Sequence, residues 1–463
     1  MKKERTLMIF VISAALLCSA AAPGPQSRPL MRGNPAPAVY QADASYVPGE
    51  VLVKFRADVP KEVRPAFLRM YRPTMVQEVP LLDIYRMGIP SGSTVAETVS
   101  ALSHNPKVEY AEPNYIVRAS VTPNDPHFNQ QYYLYNPGGT LPIPDSPLGK
   151  LGADIKATAG WEESKGSESV VIAVLDTGVD LLHPDLKNKM ISNGKDFVNN
   201  DLDASDDNGH GTSVAGIVGA DTNNSEGIAG VGWNCKVLPV KVLDKDGVGT
   251  IDQVSQGIKW AADQASNGVK VINISWGLDV SSTTLNDAIT YAYDQGVVIV
   301  AAAGNAGADV QYPAQDEHVL AVAATEYNDA RPDWSNFGSS IDVAAPGVDI
   351  VSTVPRGFFG PGSEDYGYFN LSTGPVLPAP GSGTSFAAPQ VAGLAALIRV
   401  VKPLLTVDEV MDIIRFSADD INSTLLPGKD QYIGYGRINI EKAIVPLIID
   451  TPIGTTPTGT AIR

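Results

Sequence analysis

The pattern of apolar and polar positions differs between two regions of this chain. The first region extends from Val47 to Ala119. Short runs with strand alternation and longer runs with helical spacing follow one another there. Strands are predicted at 51–55, 81–90 and 108–119, and helices at 59–71 and 94–105. A strand–helix–strand–helix–strand order over so short a stretch predicts a small open α/β sandwich.

The pattern changes after Thr122, where nearly continuous apolar runs alternate with helical stretches such as 251–268. Strands that are apolar at every position are buried on both faces, which is typical of a parallel sheet covered by helices. In such a sheet the ligand crevice lies at the carboxyl ends of the strands. A helix begins near Ser385, and a further helix pair is predicted over 398–421. The apolar runs cover 170–178, 235–244, 269–277, 296–305 and 318–325.

The two ends of the chain have compositions of their own. Lys2, Lys3 and Arg5 precede an apolar run and then small residues, which is the layout of a secretory signal peptide over 1–21. The chain is therefore expected to be secreted. The remaining intervals are assigned as a Pro/Ala/Gly-rich linker at 22–44, the small sandwich at 45–119, the large α/β unit at 122–446 and a Thr/Pro-rich tail at 447–463.

Charge and cysteine content narrow the possible partners. The net charge is −17, from 34 basic and 51 acidic residues, and the acidic excess lies after Val121. This balance argues against nucleic acid or an anionic membrane as the main partner. Removal of the leader takes Cys18 with it, so the exported protein would keep Cys235 alone and have no internal disulfide. Cys235 lies in a predicted buried strand, which favours a core residue over a catalytic thiol.

Four polar residues stand where the pattern places strand ends or helix starts, namely Asp176, His210, Asn305 and Ser385. Each alone has an ordinary structural explanation as a cap, a core histidine or a turn residue. Together they supply what acyl transfer by a hydroxyl requires. The hydroxyl needs a base, the base needs a carboxylate to hold its tautomer, and the tetrahedral oxyanion needs fixed donors.

The segments VLDTGVD, HGTSVAG, AAAGN and GTSFAAP carry these four residues in that order. They resemble the Asp, His, Asn and Ser segments of the subtilisin-like serine proteases, the subtilase family. The resemblance implies that Ser385 is the nucleophile and that His210 is the general base and then the general acid. It also implies that Asp176 orients His210, and that the Asn305 amide and the Ser385 backbone N–H form the oxyanion hole.

The same resemblance implies a fold and a route of maturation. The expected fold is α/β, a subtilisin-like parallel sheet flanked by helices on both faces and preceded by a small α/β-sandwich propeptide domain. Self-cleavage is expected between Arg118 and Asp125, so that the chain is a zymogen first blocked by its own propeptide. The mature enzyme is expected to be a monomer that takes polypeptide substrates. Departures are mild, since the family usually has His at Ser213, Met at Phe386 and His at Gln390.

The family binds peptide as an added strand between two edge segments, and 246–249 and 275–277 resemble them here. Gln311 stands where many relatives have glycine at the floor of the S1 pocket, which leaves the P1 preference open. The segment 356–381 is longer than in the simplest relatives and is either a border of the groove or a plain surface loop. The implied substrate-binding residues are Gly247, Val248, Gly249, Ser275, Trp276, Gly277 and Gln311.

Two loops are similar to the family's calcium sites, and calcium takes six to eight oxygen ligands. For the first site the resemblance implies oxygens from Gln131, Asp185, Thr222, Asn224, Glu226 and Ile228. A second, thermitase-like site would use Asp196, Asn199, Asp201 and Asp203, with a solvated acidic loop as the alternative. Structural Ca²⁺ at one or two sites is therefore the expected cofactor.

Two other kinds of function compete with the endopeptidase interpretation. A non-catalytic binding protein on a subtilase scaffold would be free to lose one of the four residues, and all four are present. An esterase or lipase favours G-x-S-x-G and the order Ser, Asp, His, and neither occurs at Ser385. The sequence favours a secreted serine endopeptidase that uses an Asp–His–Ser triad and an acyl-enzyme.

Overall fold

The fold is that of a computed structural model, which describes residues 46–115, 121–143, 145–360, 365–367 and 381–448. The chain divides into two compact units, Met1–Val117 and Arg118–Arg463, and each is described by itself. The signal peptide, the linker and nearly all of the tail fall outside the described residues, as does 116–120, where the predicted cleavage region begins. These assignments therefore stay predictions.

The first unit is a four-stranded antiparallel sheet with two helices. Its elements are β1 (Tyr46–Phe55), α1 (Arg64–Arg69), β2 (Met75–Val79), β3 (Ile84–Gly88), α2 (Val95–Ser103) and β4 (Val108–Tyr115). The order β2-β3-β1-β4 places β1 inside the sheet, where Val51, Val53 and Phe55 point alternately into the core. Thr94 and Glu97 form a capping box that starts α2.

One strand of this unit is missing from the prediction. Strand β2 lies at the edge of the sheet, and its Gln77 and Glu78 are exposed, so its sequence shows no strong apolar alternation. The strand predicted at 81–90 begins only at Ile84, because Pro80–Leu82 form a short 3₁₀ helix. The predicted sandwich of strands and helices is confirmed in kind.

The second unit is built on a seven-stranded sheet whose strands pair in parallel. Two small pairs lie beside it, β5 (Gly139–Thr140) with β6 (Leu148–Gly149), and β14 (Ser352–Thr353) with β15 (Tyr366–Gly367). The large sheet contains β7 (Val171–Asp176), β8 (Lys195–Asp196), β9 (Lys236–Lys241), β10 (Val269–Ile274), β11 (Val298–Ala302), β12 (Val319–Thr325) and β13 (Val343–Pro346). Its order is β13-β12-β11-β10-β7-β9-β8.

Helices cover both faces of this sheet, which explains the unbroken apolar runs. One face packs on α3 (Ala157–Glu163), α4 (His210–Gly219), α7 (Thr384–Val401), α8 (Val407–Ser417) and α9 (Ile440–Ile448). The other packs on α5 (Ile251–Asp263) and α6 (Thr283–Asp294). Successive residues of β7 serve the two cores in turn, with Ile172 in the first and Ala173 in the second.

Helix α7 runs through the larger of the two cores. Every residue from Thr384 to Arg399 is buried. Among the described helices it alone is long and apolar enough to cross a bilayer, and 89% of that stretch is buried inside the protein. The helix pair predicted over 398–421 is wrong in detail, because 398–401 continue α7 and the single helix α8 follows.

Candidate active site

Strand β7 ends at Asp176 on the carboxyl edge of the sheet, and α4 begins at His210. Asp176 is 0% exposed, and its Oδ1 accepts a hydrogen bond from the Thr177 N–H at 2.8 Å. The same oxygen lies 2.7 Å from His210 Nδ1. A carboxylate only accepts hydrogen bonds, so this contact assigns the proton to Nδ1 and makes Nε2 the basic nitrogen.

Opposing influences act on the pKa of His210. Burial lowers it, the negative charge of Asp176 and its hydrogen bond raise it, and the charge of Asp206 raises it as well. The net result is a raised pKa. The imidazolium that forms when this ring takes a proton is therefore stabilised by its surroundings.

Ser385 is the second residue of α7, and two reciprocal hydrogen bonds tie it to the end of β10. Its Oγ donates to the Ser275 carbonyl oxygen at 3.1 Å, and the Ser275 Oγ donates to the Ser385 carbonyl oxygen at 2.9 Å. The buried Asn273 donates through Nδ2 to the Ser275 Oγ at 3.0 Å. These bonds fix the backbone of Ser385 at the mouth of the helix.

Asn305 follows β11, and its side-chain oxygen is held by the residue before Ser385. The Thr384 N–H and the Thr384 Oγ1 donate to Asn305 Oδ1 at 2.8 and 2.9 Å. The Thr384 hydroxyl also accepts from the Gly304 N–H at 3.1 Å. With its oxygen engaged, the Asn305 amide presents its N–H groups as donors.

These groups line one open cavity. His210, Asn305 and Ser385 lie in its wall, and Asp176 stands behind His210. The predicted substrate-binding residues that line the cavity are Gly247, Ser275, Trp276, Gly277 and Gln311. Val248 and Gly249 belong to the adjoining turn, where the Asp244 N–H donates to the Val248 carbonyl oxygen.

Gln311 fills space that two glycines leave open. A Cβ added to Gly304 or Gly277 would lie 2.6 or 2.8 Å from its Oε1. Its Nε2 donates to Asp279 Oδ1 at 2.7 Å, which anchors the side chain at the rim of the cavity. The Gln311 amide therefore occupies space in the cavity that a glycine at this position would leave empty.

The three departures from the family pattern have packing roles. The Ser213 Oγ donates to the carbonyl oxygens of Gly209 and Thr353. The Gln390 Nε2 donates to the Pro346 carbonyl oxygen at 2.6 Å and to that of Phe386 at 2.9 Å. Phe386 places its ring 5.8 Å from that of His210.

The loop predicted to form the first calcium site surrounds a buried carboxylate. Asp185 is 0% exposed, and its two oxygens accept from Asn224 Nδ2 at 2.8 Å and from the Ile228 N–H at 3.0 Å. No ion pair to Asp185 occurs within the described residues. Burial raises its pKa to about 7, and the charges of Asp125 and Asp221 act in the same direction.

The donors in this loop suit a hard cation. Thr222 is buried, and the Asn224 side-chain oxygen accepts from the Glu226 N–H at 2.8 Å. No group of three or more His, Cys, Asp or Glu side chains is placed to hold a metal in the described part of the chain. A cation here would therefore depend on amide and backbone oxygens as well as on carboxylates, which is the donor set that calcium accepts.

Gln131 is not brought into this group, whereas Asp125 is. The Gln131 Oε1 accepts from the Ala229 N–H, and its Nε2 donates to the Ala229 carbonyl and the Tyr133 hydroxyl. Asp125 is 4% exposed, accepts from the Asn223 N–H with both oxygens, and is close enough to Asp185 to raise its pKa. No motif singles out Asp125 in the sequence.

The second predicted site folds as a series of turns. The Asp196 Oδ1 accepts from the backbone N–H groups of Val198 and Asn199, at 2.6 and 2.8 Å. Its Oδ2 accepts from Asn199 Nδ2 at 2.8 Å. Asp201 and Asp203 are exposed, and each accepts a backbone N–H from two residues further on. The carboxylates of Asp201 and Asp203 therefore remain in contact with water.

Parts of the long segment 356–381 are described, while 361–364 and 368–380 fall outside the described residues. Arg356 makes a two-pronged ion pair with Asp180. The Tyr366 ring packs 5.2 Å from the ring of His183. A Cβ added to Gly227 would meet both the Tyr366 ring and Asp185. The described part of the segment therefore lies against the Asp185 loop.

The arrangement is chemically suited to acyl transfer. A hydroxyl at a helix N-terminus, an imidazole held by a buried carboxylate and an amide donor face one cavity. Residues 167–436 match the Subtilase family, Peptidase_S8, and residues 33–114 match the Fervidolysin N-terminal prodomain. The chain belongs to the subtilase family and is a serine endopeptidase that carries an N-terminal prodomain.

Individual relatives support this assignment. The "Thermophilic serine proteinase" of Bacillus sp. (strain AK1) is 40% identical over 407 residues, which cover 88% of this chain and 90% of that protein. "Thermitase" of Thermoactinomyces vulgaris is 40% identical over 324 residues, 70% of this chain and 99% of that one. A solved protease structure from Pseudoalteromonas arctica shares 34% identity at a TM-score of 0.59, covering 71% of this chain and 100% of that one. The predicted family and fold are confirmed.

Proposed function

We propose that the chain is a secreted zymogen of a serine endopeptidase whose triad is Ser385, His210 and Asp176. The observation that carries the proposal is the 2.7 Å contact between His210 Nδ1 and the buried Asp176, beside a cavity lined by Ser385 and Asn305. In this arrangement the carboxylate fixes the tautomer and stabilises the imidazolium. The raised pKa of His210 agrees with that role.

Catalysis begins when the Ser385 hydroxyl turns from the Ser275 carbonyl toward His210 Nε2. Its Oγ forms a bond to the scissile carbonyl carbon while its proton passes to Nε2. Collapse of the tetrahedral intermediate breaks the C–N bond, and the leaving amine takes the proton from His210. Water then attacks the acyl-enzyme by the same route, which releases the acid and restores Ser385.

Asn305 and the backbone of Ser385 would stabilise the negative charge of the intermediate. Thr384 holds the Asn305 oxygen, so the amide nitrogen is fixed before the substrate arrives. The Ser385 N–H lies in the first turn of α7, where helix N–H groups lack intrahelical acceptors. Donors that need no reorganisation are the most effective kind of transition-state stabilisation.

Maturation would follow from the same chemistry. The first unit corresponds to a prodomain family, and a prodomain that precedes a protease is suited to occupy its substrate groove. Polypeptide is therefore both the substrate and, as the chain's own first unit, the inhibitor. Cleavage between Arg118 and Asp125 would separate the two, and the basic and apolar leader would direct export.

Calcium would have a structural role at the Asp185 loop. Asp185 and Asn224 would supply side-chain oxygens, with Asp125 in place of Gln131, and Thr222, Glu226 and Ile228 would supply carbonyls. A bound divalent cation would neutralise the buried negative charge and hold this loop in place. The loop at Asp196, Asn199, Asp201 and Asp203 is proposed as a weaker second site, since Asp201 and Asp203 are exposed to water whereas Asp185 is buried.

The experiment compares wild-type protein with Ser385→Ala and with Ser382→Ala, a control three residues away in the same Gly-rich run. Each is followed on a gel for loss of the first unit and assayed with a peptide p-nitroanilide. Wild type and Ser382→Ala should mature and turn over substrate, while Ser385→Ala stays full-length and inactive. Equal activity in all three proteins would overturn the assignment of Ser385.

A further inference from the structure

Behind His210 lies a second carboxylate that the triad does not use. Asp206 sits four residues before His210, in the loop that leads into α4. It is part-buried, and no lysine, arginine or histidine among the described residues forms an ion pair with it. A buried charge without a counter-ion has to be compensated by hydrogen bonds.

Five hydrogen bonds from described residues end on the two oxygens of Asp206. Its Oδ1 accepts from the Thr177 Oγ1 at 2.9 Å, the Asn208 N–H at 3.0 Å and the Gly209 N–H at 2.9 Å. Its Oδ2 accepts from the Thr212 N–H at 2.9 Å and from the Thr212 Oγ1 at 2.5 Å. Burial raises the pKa of Asp206, and the bonds from Thr212, Gly209 and Asn208 oppose that rise. In each case a backbone N–H or a threonine hydroxyl is placed to donate, and such donors favour the ionised carboxylate.

These bonds connect the two parts of the structure that the His210–Asp176 pair joins. Thr177 follows Asp176 directly, and its hydroxyl also accepts from the Gly211 N–H at 2.9 Å. Gly209 and Thr212 flank His210 at the start of α4, where the helix has no side-chain cap from its own N-cap residue. Asp206 therefore holds the end of β7 and the first turn of α4 against each other.

We propose that Asp206 is a positioning residue for His210, which it acts on through the loop and through its charge. Its hydrogen bonds fix the distance between His210 and Asp176, and its negative charge favours the imidazolium that forms during catalysis. The proposal rests on the triad assigned above, and it adds a side chain that positions one member of that triad. The pKa of His210 is raised in part by the charge of Asp206, in agreement with this role.

The other charged groups near His210 are placed differently from Asp206. Asp176 contacts the ring directly. Asp207, next to Asp206, is half exposed and pairs with Lys241 at 2.5 Å. Lys241 also donates to the carbonyl oxygens of Thr177 and Leu243 and so lies on the β9 side of the same loop. Apart from Asp176, Asp206 is the one acidic side chain of this set that bonds to the turn carrying His210.

The test measures kcat and kcat/KM against pH for four proteins: wild type, Asp206→Asn, Asp206→Glu and the control Asp207→Asn. Asp206→Asn removes the charge and turns at least one acceptor into a donor, so kcat should fall between about ten- and a hundredfold. The acidic limb of its kcat/KM profile should move to lower pH. Without the negative charge of Asp206 the imidazolium is less stable, so the pKa of His210 falls. Asp206→Glu should lose kcat but keep the wild-type limb, since its charge remains. Asp207→Asn should resemble wild type in both.

A second variant separates geometry from charge. Thr177→Val removes the hydrogen bond that the Thr177 hydroxyl donates to Asp206 and the one that it accepts from the Gly211 N–H, and it keeps every charge. We therefore expect kcat to fall severalfold with no movement of the acidic limb of the pH profile. The pKa of His210 can also be read directly by NMR in the Ser385→Ala background. If Asp206→Asn keeps the wild-type kcat, or if its limb and its His210 pKa do not move, the proposal is overturned. Should Asp206→Asn fail to fold, an unchanged kcat in Thr177→Val would overturn it instead.

The controls keep this test separate from the test of the triad. If wild type shows no activity that depends on Ser385, the proposed function fails, and the role of Asp206, which rests on it, fails with it. If wild type is active and Asp206→Asn matches Asp207→Asn, only the role of Asp206 fails.

Discussion

Asp176 and Asp185 are both 0% exposed, yet their surroundings differ. Asp176 has a histidine ring nitrogen 2.7 Å from one oxygen. Asp185 faces an asparagine amide, a backbone N–H and, further away, the charges of Asp125 and Asp221. One buried carboxylate has a partner that can become a cation, and the other has neutral donors and like charges.

The difference indicates what each site lacks. Burial of a charge is costly unless hydrogen bonds or an opposite charge compensate it. For Asp176 the compensation lies within the chain, because His210 becomes positive as soon as it takes a proton. For Asp185 the compensation is incomplete, and burial raises its pKa to about 7. Under the proposed function, a cation from solution would supply the compensation that Asp185 lacks, whereas folding alone supplies it for Asp176.

Replacement of Asp176 by Asn tests the carboxylate that contacts His210, and it should have the largest effect on activity. The amide keeps the shape but no longer enforces the Nδ1–H tautomer, so kcat should fall by about 10⁴-fold, the size of loss known for this change in serine-protease triads. The measurement is single-substrate kinetics on a peptide p-nitroanilide, with Asp263→Asn as a surface control. A kcat within tenfold of wild type would show that Asp176 does not orient the base.

The second test removes the oxyanion donor and leaves both carboxylates untouched. Asn305→Ala should lower kcat by about 10²- to 10³-fold with little change in KM, because the donor acts on charge that develops only in the transition state. Thr384→Val, which removes one of the two bonds to the Asn305 oxygen, should give a smaller loss in the same direction. A rise in KM with kcat unchanged would instead indicate damage to substrate binding.

Calcium should affect stability rather than chemistry, and this sharpens the contrast between the carboxylates. Thermal unfolding is followed in the Ser385→Ala background, which cannot digest itself, with calcium and with chelator. A hundredfold excess of calcium over its Kd contributes about 2.7 kcal/mol, so the Tm should rise by several degrees. Asp185→Asn should lose most of that rise.

The chelated proteins provide the decisive comparison for Asp185. Without calcium, Asp185→Asn should unfold at the same temperature as its parent or above it, because a neutral amide replaces a poorly compensated buried charge. Addition of calcium should then place the parent above the variant. The same calcium-dependent rise in both proteins would mean that the cation binds elsewhere.

The sequence was sufficient for the fold and for the family, and the reason is physical. Fully apolar strands such as β7 and β11 carry their burial in their composition, so the parallel sheet is readable from the chain alone. Strand β2 is not readable in this way, because its polar residues lie at an exposed sheet edge. The four motif residues follow strands or open helices, which ties their positions to elements that the pattern does predict.

The residues that hold the catalytic site and the Asp185 loop in place, without belonging to either motif, could not be predicted from the sequence. Asp125 reaches the Asp185 loop across a long sequence separation, and a backbone N–H of Asn223 is what holds it there. Asp206 is one of many acidic residues in its loop, and only the directions of five donors distinguish it. Such roles depend on where backbone N–H groups point, and a residue pattern does not specify that.

The smallest expected effect concerns the cavity that the catalytic side chains share. Gln311→Gly removes an amide that lies within reach of Gly277 and Gly304, so the pocket gains depth without losing any reacting group. A pocket change of this size alters selectivity by about 1–3 kcal/mol. The ratio of kcat/KM for a Phe over an Ala P1 residue should therefore rise by about tenfold or more. Asp279→Ala, which only frees the Gln311 amide, should change that ratio less, and an unchanged ratio in Gln311→Gly would place the P1 side chain elsewhere.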